Sequence, residues 1–129
     1  VPHISDSVGY PSLNQTAGFR YLVEECGVTA ICACNDFFAR DYFYWLGRVG
    51  IAVPDDLSLL SFDNSCIALP LGLTSVDFGL DYLAHQATGV LMERIAVPRC
   101  KPPTLWSRPL LIQRRSVKKI RPTDATRSL

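Results

Sequence analysis

At 129 residues the chain is long enough for one domain, and a domain of this size buries about two thirds of its unfolded surface. A composition that is 48% apolar and 19% charged excludes an intrinsically disordered polymer, and no stretch approaches the roughly 20 apolar residues needed to span a bilayer. The net charge of +1 is unevenly spread: from Arg114 onward there are six basic residues against Asp124, while the preceding part holds seven basic and eleven acidic ones. A mildly acidic body is unlike a nucleic-acid-binding face, and the basic tail reads as a solvated extension.

In chain order, a polar, Gly/Pro-marked start (Ser5–Ser12) leads into Asn14–Glu25, where Ala17, Tyr21 and Leu22 recur at helical spacing and Gly27 is a C-cap. Val28–Cys34 is the first buried strand, ending at the polar pair Asn35-Asp36. An aromatic-rich helix follows over Phe37–Val49, with Asp36 placed to cap its first turn. Its aromatics read as core beneath the sheet, with a dimer face as the alternative.

Val53–Asn64, VPDDLSLLSFDN, is the most informative stretch. A short, nearly unbroken apolar run stopping at Asp63-Asn64 is how a strand buried on both faces of a parallel sheet reads. Ligands of open α/β sheets sit in the crevice beyond the carboxyl ends of such strands. Ile67–Gly72 reads as a loop and Leu73–Val76 as a very short strand. Leu80–Val97 is the best helix, with Leu80, Leu83, Ala84, Ala87, Leu91 and Ile95 forming one stripe. Pro98, Pro102 and Pro103 end it, and Pro109–Ile112 is the last strand. Strands alternating with helices imply right-handed parallel crossovers, hence an α/β fold: a three-layer α/β/α sandwich on a mainly parallel sheet.

Two long strands thus end in acid-amide pairs, Asn35-Asp36 and Asp63-Asn64. If the strands are neighbours, both pairs face one crevice, where such groups fix the hydroxyls or ring nitrogens of a small polar ligand. The competing explanation is turn formation and helix capping. No catalytic or metal site emerges. His3 and His85 have no Ser, Cys or acidic partner at triad-like spacing. The five cysteines (Cys26, Cys32, Cys34, Cys66, Cys100) include no CxxC pair and read as structural thiols of a reducing compartment. No cofactor is implied. The chain does not begin with Met and its start reads as truncated, so the missing leader does not place the protein.

Taken in order, Thr29-Ala30-Ile31, Asn35-Asp36 with Ala39, Gly50–Ser58, Phe62-Asp63-Asn64, Leu73–Val76, Pro109–Ile112 and Arg115-Ser116 resemble the effector-binding domain of LacI-type transcriptional regulators. Periplasmic sugar-binding proteins are relatives of that domain, and the resemblance spans residues 28–117. It implies a type I periplasmic-binding-protein-like fold with two lobes, preceded by a helix-turn-helix and used as a homodimer. On the matched positions, Asp63 and Asn35 become effector contacts. Asp36, Asn64, an aromatic near Tyr10, and Phe78 behind the hinge-like strand complete the candidate ligand-binding set.

The chain departs from the family's usual glycines at Asp41, Ser61 and Ala84, and Ser61 is expected to add a side chain near the pocket floor. The resemblance further implies that residues 1–117 are a partial effector domain, mostly its carboxyl-terminal lobe, followed by a flexible basic tail over 118–129. Helix 80–97 would belong to the amino-terminal lobe: one lobe plus an orphan helix, expected to fold back on its own lobe or dock on a neighbouring copy. The partners implied are a small-molecule effector, operator DNA through a domain outside this chain, and a second copy, with no membrane and a cytoplasmic location. A periplasmic solute-binding protein for sugar transport is the alternative, and an α/β enzyme using Asp36 or Asp63 as a base is a third reading.

Overall fold

The computed structural model describes residues 13–99 and 101–119. Its elements are α1 (Leu13–Glu24), β1 (Ala30–Cys32), α2 (Asp36–Arg48), β2 (Ser58–Phe62), α3 (Ala68–Leu71), β3 (Thr74–Asp77), α4 (Leu80–Ala96) and β4 (Leu110–Ile112). The sheet runs in the order β1-β2-β3-β4. The first three strands are parallel and β4 returns antiparallel beside β3. This is the mainly parallel α/β arrangement that the alternating pattern implies.

Right-handed crossovers between strands laid down in one direction place every connecting helix on the same face, and the core follows that rule. Leu59 and Leu73 pack with Ala39 of α2 and Ala68 of α3. Leu57 packs with Leu46 of α2 and Phe19 of α1. Phe19 meets Tyr42 edge-on at 5.2 Å between ring centroids. Trp45 joins this layer, so Tyr42, Phe43 and Trp45 of the aromatic helix pack on the core, whereas Phe37, Phe38 and Tyr44 are exposed.

Because side chains alternate along a strand, Ser58, Leu60 and Phe62 of β2 point to the other face. There Ala30, Cys32 and Leu111 are exposed, and a recess of about 360 Å3 lies over Ala30, Leu60, Thr74 and Leu111. Of the three expected layers, the described residues build the sheet and one helical layer.

Three expectations change. The segment read as a loop over Ile67–Gly72 contains the one-turn helix α3, closed by Gly72 in the left-handed region at φ 65°. Asp36 does not cap α2: Asn35 does, its Oδ1 accepting the Phe38 N–H at 3.0 Å. The long helix α4 does not fold back on this lobe, since none of its residues is buried. Leu80, Tyr82, Leu91, Met92 and Ile95 are all more than half exposed. Each such side chain forgoes more than half of the about 1.5–3 kcal/mol that full burial gives.

The carboxyl-terminal segment is tied into the sheet by Ser116. The β2–β3 ladder starts at Leu60 and Thr74, leaving a fork between Leu59 and Leu73. Ser116 fills it: its Oγ donates to the Leu59 carbonyl at 2.5 Å and accepts the Thr74 N–H at 2.8 Å, while Leu59 N–H donates to its carbonyl at 2.7 Å. No helix among the described residues is long and apolar enough to cross a membrane.

Candidate functional site

Strands β1 and β2 are direct neighbours in the sheet, with Cys32 opposite Leu60. Their carboxyl ends therefore emerge side by side, and Asn35 and Asp63 stand on one crest. Asn35 is half-buried and committed through Oδ1 to the α2 cap. Its amide Nδ2 has no partner among the described residues and remains available to a ligand.

Asp63 and Asn64 both take left-handed backbone conformations, at φ 94° and 48°. For non-glycine residues each such conformation costs about 1–3 kcal/mol and persists only where the surroundings over-determine it. Those surroundings are visible. Asp63 N–H donates to the Val76 carbonyl at 2.9 Å, and Asn64 N–H donates to Ser75 Oγ at 2.9 Å. The Asn64 amide donates from Nδ2 to Asp77 Oδ2 at 2.9 Å and accepts at Oδ1 from the Arg114 guanidinium at 2.6 Å. Both hydrogen-bonding ends of the Asn64 side chain are thus engaged within the lobe, while the half-buried Asp63 carboxylate shares in none of these bonds.

Asp36 differs most from its sequence reading. It is wholly buried, and its carboxylate accepts from Ser61 Oγ at 2.5 Å, Ser75 Oγ at 2.8 Å and the Ser65 N–H at 2.6 Å. Burial pushes its pKa up, but the donors from Ser61, Ser75 and Ser65 outweigh that and hold it below the usual carboxylate value. The Asp36 carboxylate is thus engaged within the lobe: it is the anchor beneath the crest, joining the start of α2 to β2, β3 and the Asp63 turn.

The departure from glycine at Ser61 takes its meaning from this anchor. Ser61 points into the helical layer, opposite to Phe62, and supplies a donor to Asp36 rather than bulk to a cleft. Asp41 pairs on the surface with Arg40 at 2.8 Å, and Ala84 lies exposed on α4.

Phe78 stacks on Phe62 in an offset parallel arrangement, with ring centroids 5.7 Å apart and planes inclined by 4°. The pair makes a partly exposed aromatic plate beside the crest, a surface suited to the apolar face of a sugar or base. Tyr10 lies outside the described residues. Sequence reasoning singled out Ser61 but not its bond to Asp36, and missed Ser65, Ser75, Asp77 and Arg114. The available signal was the presence of serines in strands otherwise apolar enough to be buried on both faces. No group of three or more metal-ligating side chains occurs among the described residues.

A family profile for periplasmic binding protein-like domains matches residues 7–117, so the chain belongs to that family. Within it, the resemblance runs to LacI-type transcriptional regulators. The HTH-type transcriptional repressor PurR of Mannheimia succiniciproducens is 35% identical over 114 residues, which is 87% of this chain and 33% of that protein. A LacI-type transcription regulator from Bifidobacterium animalis superposes with a TM-score of 0.69 at 30% identity, over 81% of this chain and 39% of the other. A LacI family transcriptional regulator from Enterococcus faecalis, solved with bound ribose, does so with a TM-score of 0.70 at 25% identity, over 85% and 43%. The chain spans about a third of the length of the curated relatives it matches.

Proposed function

We propose that this chain is part of the effector-sensing domain of a bacterial transcriptional regulator, and that it binds a small sugar-like or nucleobase-like ligand. The observation that carries the reading is the crest itself. Neighbouring strand ends present the Asn35 Nδ2 and, from a strained backbone, the Asp63 carboxylate, neither with a partner among the described residues, beside the Phe62–Phe78 pair. Hydrogen bonds to a carboxylate and an amide, with an aromatic face alongside, are what a small polyhydroxy or heterocyclic ligand requires. Asp63, Asn35 and Phe78 are the contacts proposed, with Asp36 and Asn64 placed behind them.

No chemistry is needed. The ligand shifts the balance between two lobe arrangements by its difference in affinity for them, and a helix-turn-helix outside this chain reads that balance on operator DNA. A cytoplasmic homodimer is part of the proposal. In it, α4 packs with the amino-terminal lobe and the outward aromatics Phe37 and Tyr44 of α2 are candidate dimer contacts. Repressor relatives and the exposed free cysteines Cys32 and Cys34 favour this over a periplasmic transport protein. Titration calorimetry of the full-length protein against a panel of sugars and nucleobases, repeated with Asp63→Ala, tests it. Loss of at least about tenfold in affinity is expected when one charged contact goes, and unchanged affinity would remove Asp63 from the site.

A further inference from the structure

Among the described residues the Asp63 side chain has no hydrogen-bond partner to hold it, yet it sits in a backbone conformation that little else allows. Its geometry is therefore set by its N–H bond to the Val76 carbonyl and by its neighbour. Asn64 is gripped at three atoms: N by Ser75, Nδ2 by Asp77 and Oδ1 by Arg114. Those partners occupy two particular places in the fold. Asp77 is the last residue of β3, just before α4, and Arg114 follows β4, just after the return from α4 to the sheet. Each is itself pinned. Asp77 Oδ1 accepts the Gly79 N–H at 2.7 Å, and Arg114 donates from Nη1 to the Leu73 carbonyl at 2.7 Å and from its backbone N–H to Thr74 Oγ1 at 3.0 Å.

We infer that Asn64, Asp77 and Arg114 form a clasp that locks the Asp63 turn to both strands connecting this lobe with the rest of the protein. Asn64 is then a positioning residue for the Asp63 carboxylate and not a contact to the effector. The inference rests on reading Asp63 as an effector contact. Any rotation of β3 against β4 as the lobes close must move Asp77 and Arg114 relative to Asn64, so the clasp carries lobe motion to the ligand carboxylate. A planar amide between a carboxylate and a guanidinium suits this, because it donates to one and accepts from the other without carrying charge.

An exchange of side chains in the full-length protein tests the clasp. Asn64→Asp sets two carboxylates against each other, and Asp77→Asn removes the acceptor charge. The double variant Asn64→Asp/Asp77→Asn restores a donor–acceptor pair and leaves Arg114 facing a carboxylate.

Two measurements are made on each: amide hydrogen exchange of the peptide covering residues 62–66, and calorimetric affinity for D-ribose and for hypoxanthine as probes of the two ligand classes. Each single variant is expected to speed exchange and weaken the bound probe by about tenfold, as loss of one charge-assisted bond does, with the double variant near wild type in both. Exchange that is unmoved by the single variants, or not restored in the double, overturns the clasp. Restored exchange with affinity still lost overturns the positioning role, because Asn64 then touches the ligand directly. If the wild-type protein binds neither probe, the sugar-or-base reading of the site fails, while the exchange measurement still decides the clasp.

Discussion

Substituting Asp36 by Asn keeps the side chain's shape but replaces one carboxylate oxygen with a donor. In the native site that carboxylate meets three donors, two hydroxyls and a backbone N–H, in a wholly buried position. Hydrogen bonds to a charged acceptor contribute about 1.5–3 kcal/mol each, and an orphaned buried donor costs about 1–3 kcal/mol. The amide introduced by Asp36→Asn must point its NH2 group at one of the three, losing that bond and the charge assistance of the others, so a loss of about 3–4 kcal/mol is expected. Ser61→Ala removes one donor and leaves a carboxylate with two, for about 1–2 kcal/mol.

The two losses should be read as urea midpoints of the full-length protein and as hydrogen exchange in residues 58–66. Acid provides the second arm. The pKa of Asp36 is lowered in the fold, so its stabilisation is fully present above the ordinary value of 3.8 and is lost only as pH falls through the lower folded value. The gap between wild type and Asp36→Asn should therefore hold from neutrality down to about pH 4 and shrink below that. A variant that costs less than Ser61→Ala, or a gap that closes already near pH 6, would refute the anchor.

Two further outcomes follow from the packing. Ser116→Ala should destabilise the full-length protein by about 2–3 kcal/mol, because it strips the donor from the Leu59 carbonyl and the acceptor from the Thr74 N–H inside the β2–β3 fork; a urea midpoint within error of wild type would contradict the fork. Leu91→Ala and Ile95→Ala remove side chains that are 60% and 65% exposed. In the isolated chain each should cost no more than about 0.5 kcal/mol, and in the full-length protein about 2–5 kcal/mol if α4 is covered by the other lobe. Equal cost in both settings would show that α4 has no such cover.

The elements were legible because their patterns are local. The unbroken apolar run of β2, the stripe of α4 and the left-handed Gly27 after α1 each follow from a few consecutive residues. The partition of the polar residues was not, because it depends on contacts between distant parts of the chain. Asn35 and Asp36 are adjacent, yet the first caps a helix at the crest and the second is buried against Ser75, a partner 39 residues away. Only the alternation of side chains across β2 and β3, which sends Ser61 and Ser75 to the helical face, decides that. The same is true of Arg114: its bond to Asn64 joins positions 50 residues apart through an antiparallel strand that the sequence marks with three residues. The short segment Ala68–Leu71 was missed because one helical turn containing a proline carries no period to detect.

The one-way winding of β1, β2 and β3 explains both what the lobe builds and what it leaves open. Neighbouring parallel strands lie about 4.8 Å apart, which brings the ends bearing Asn35 and Asp63 close enough for one small molecule to reach both. Had another strand intervened, the separation would be about 10 Å and the two would face different ligand atoms or none. The same winding places α1, α2 and α3 on a single face, so the opposite face, with Cys32, Leu60 and Leu111, can be covered only by chain wound the other way from the outer edge of β1, which has no partner strand among the described residues. Relatives about three times as long have residues to do this. The crest is thus braced from below, through Asp36, while Asp63 and the Phe62–Phe78 pair stay partly exposed above it. On the proposed reading of this crest as an effector site, a fixed lower surface is what would convert ligand contact into movement of an opposing lobe.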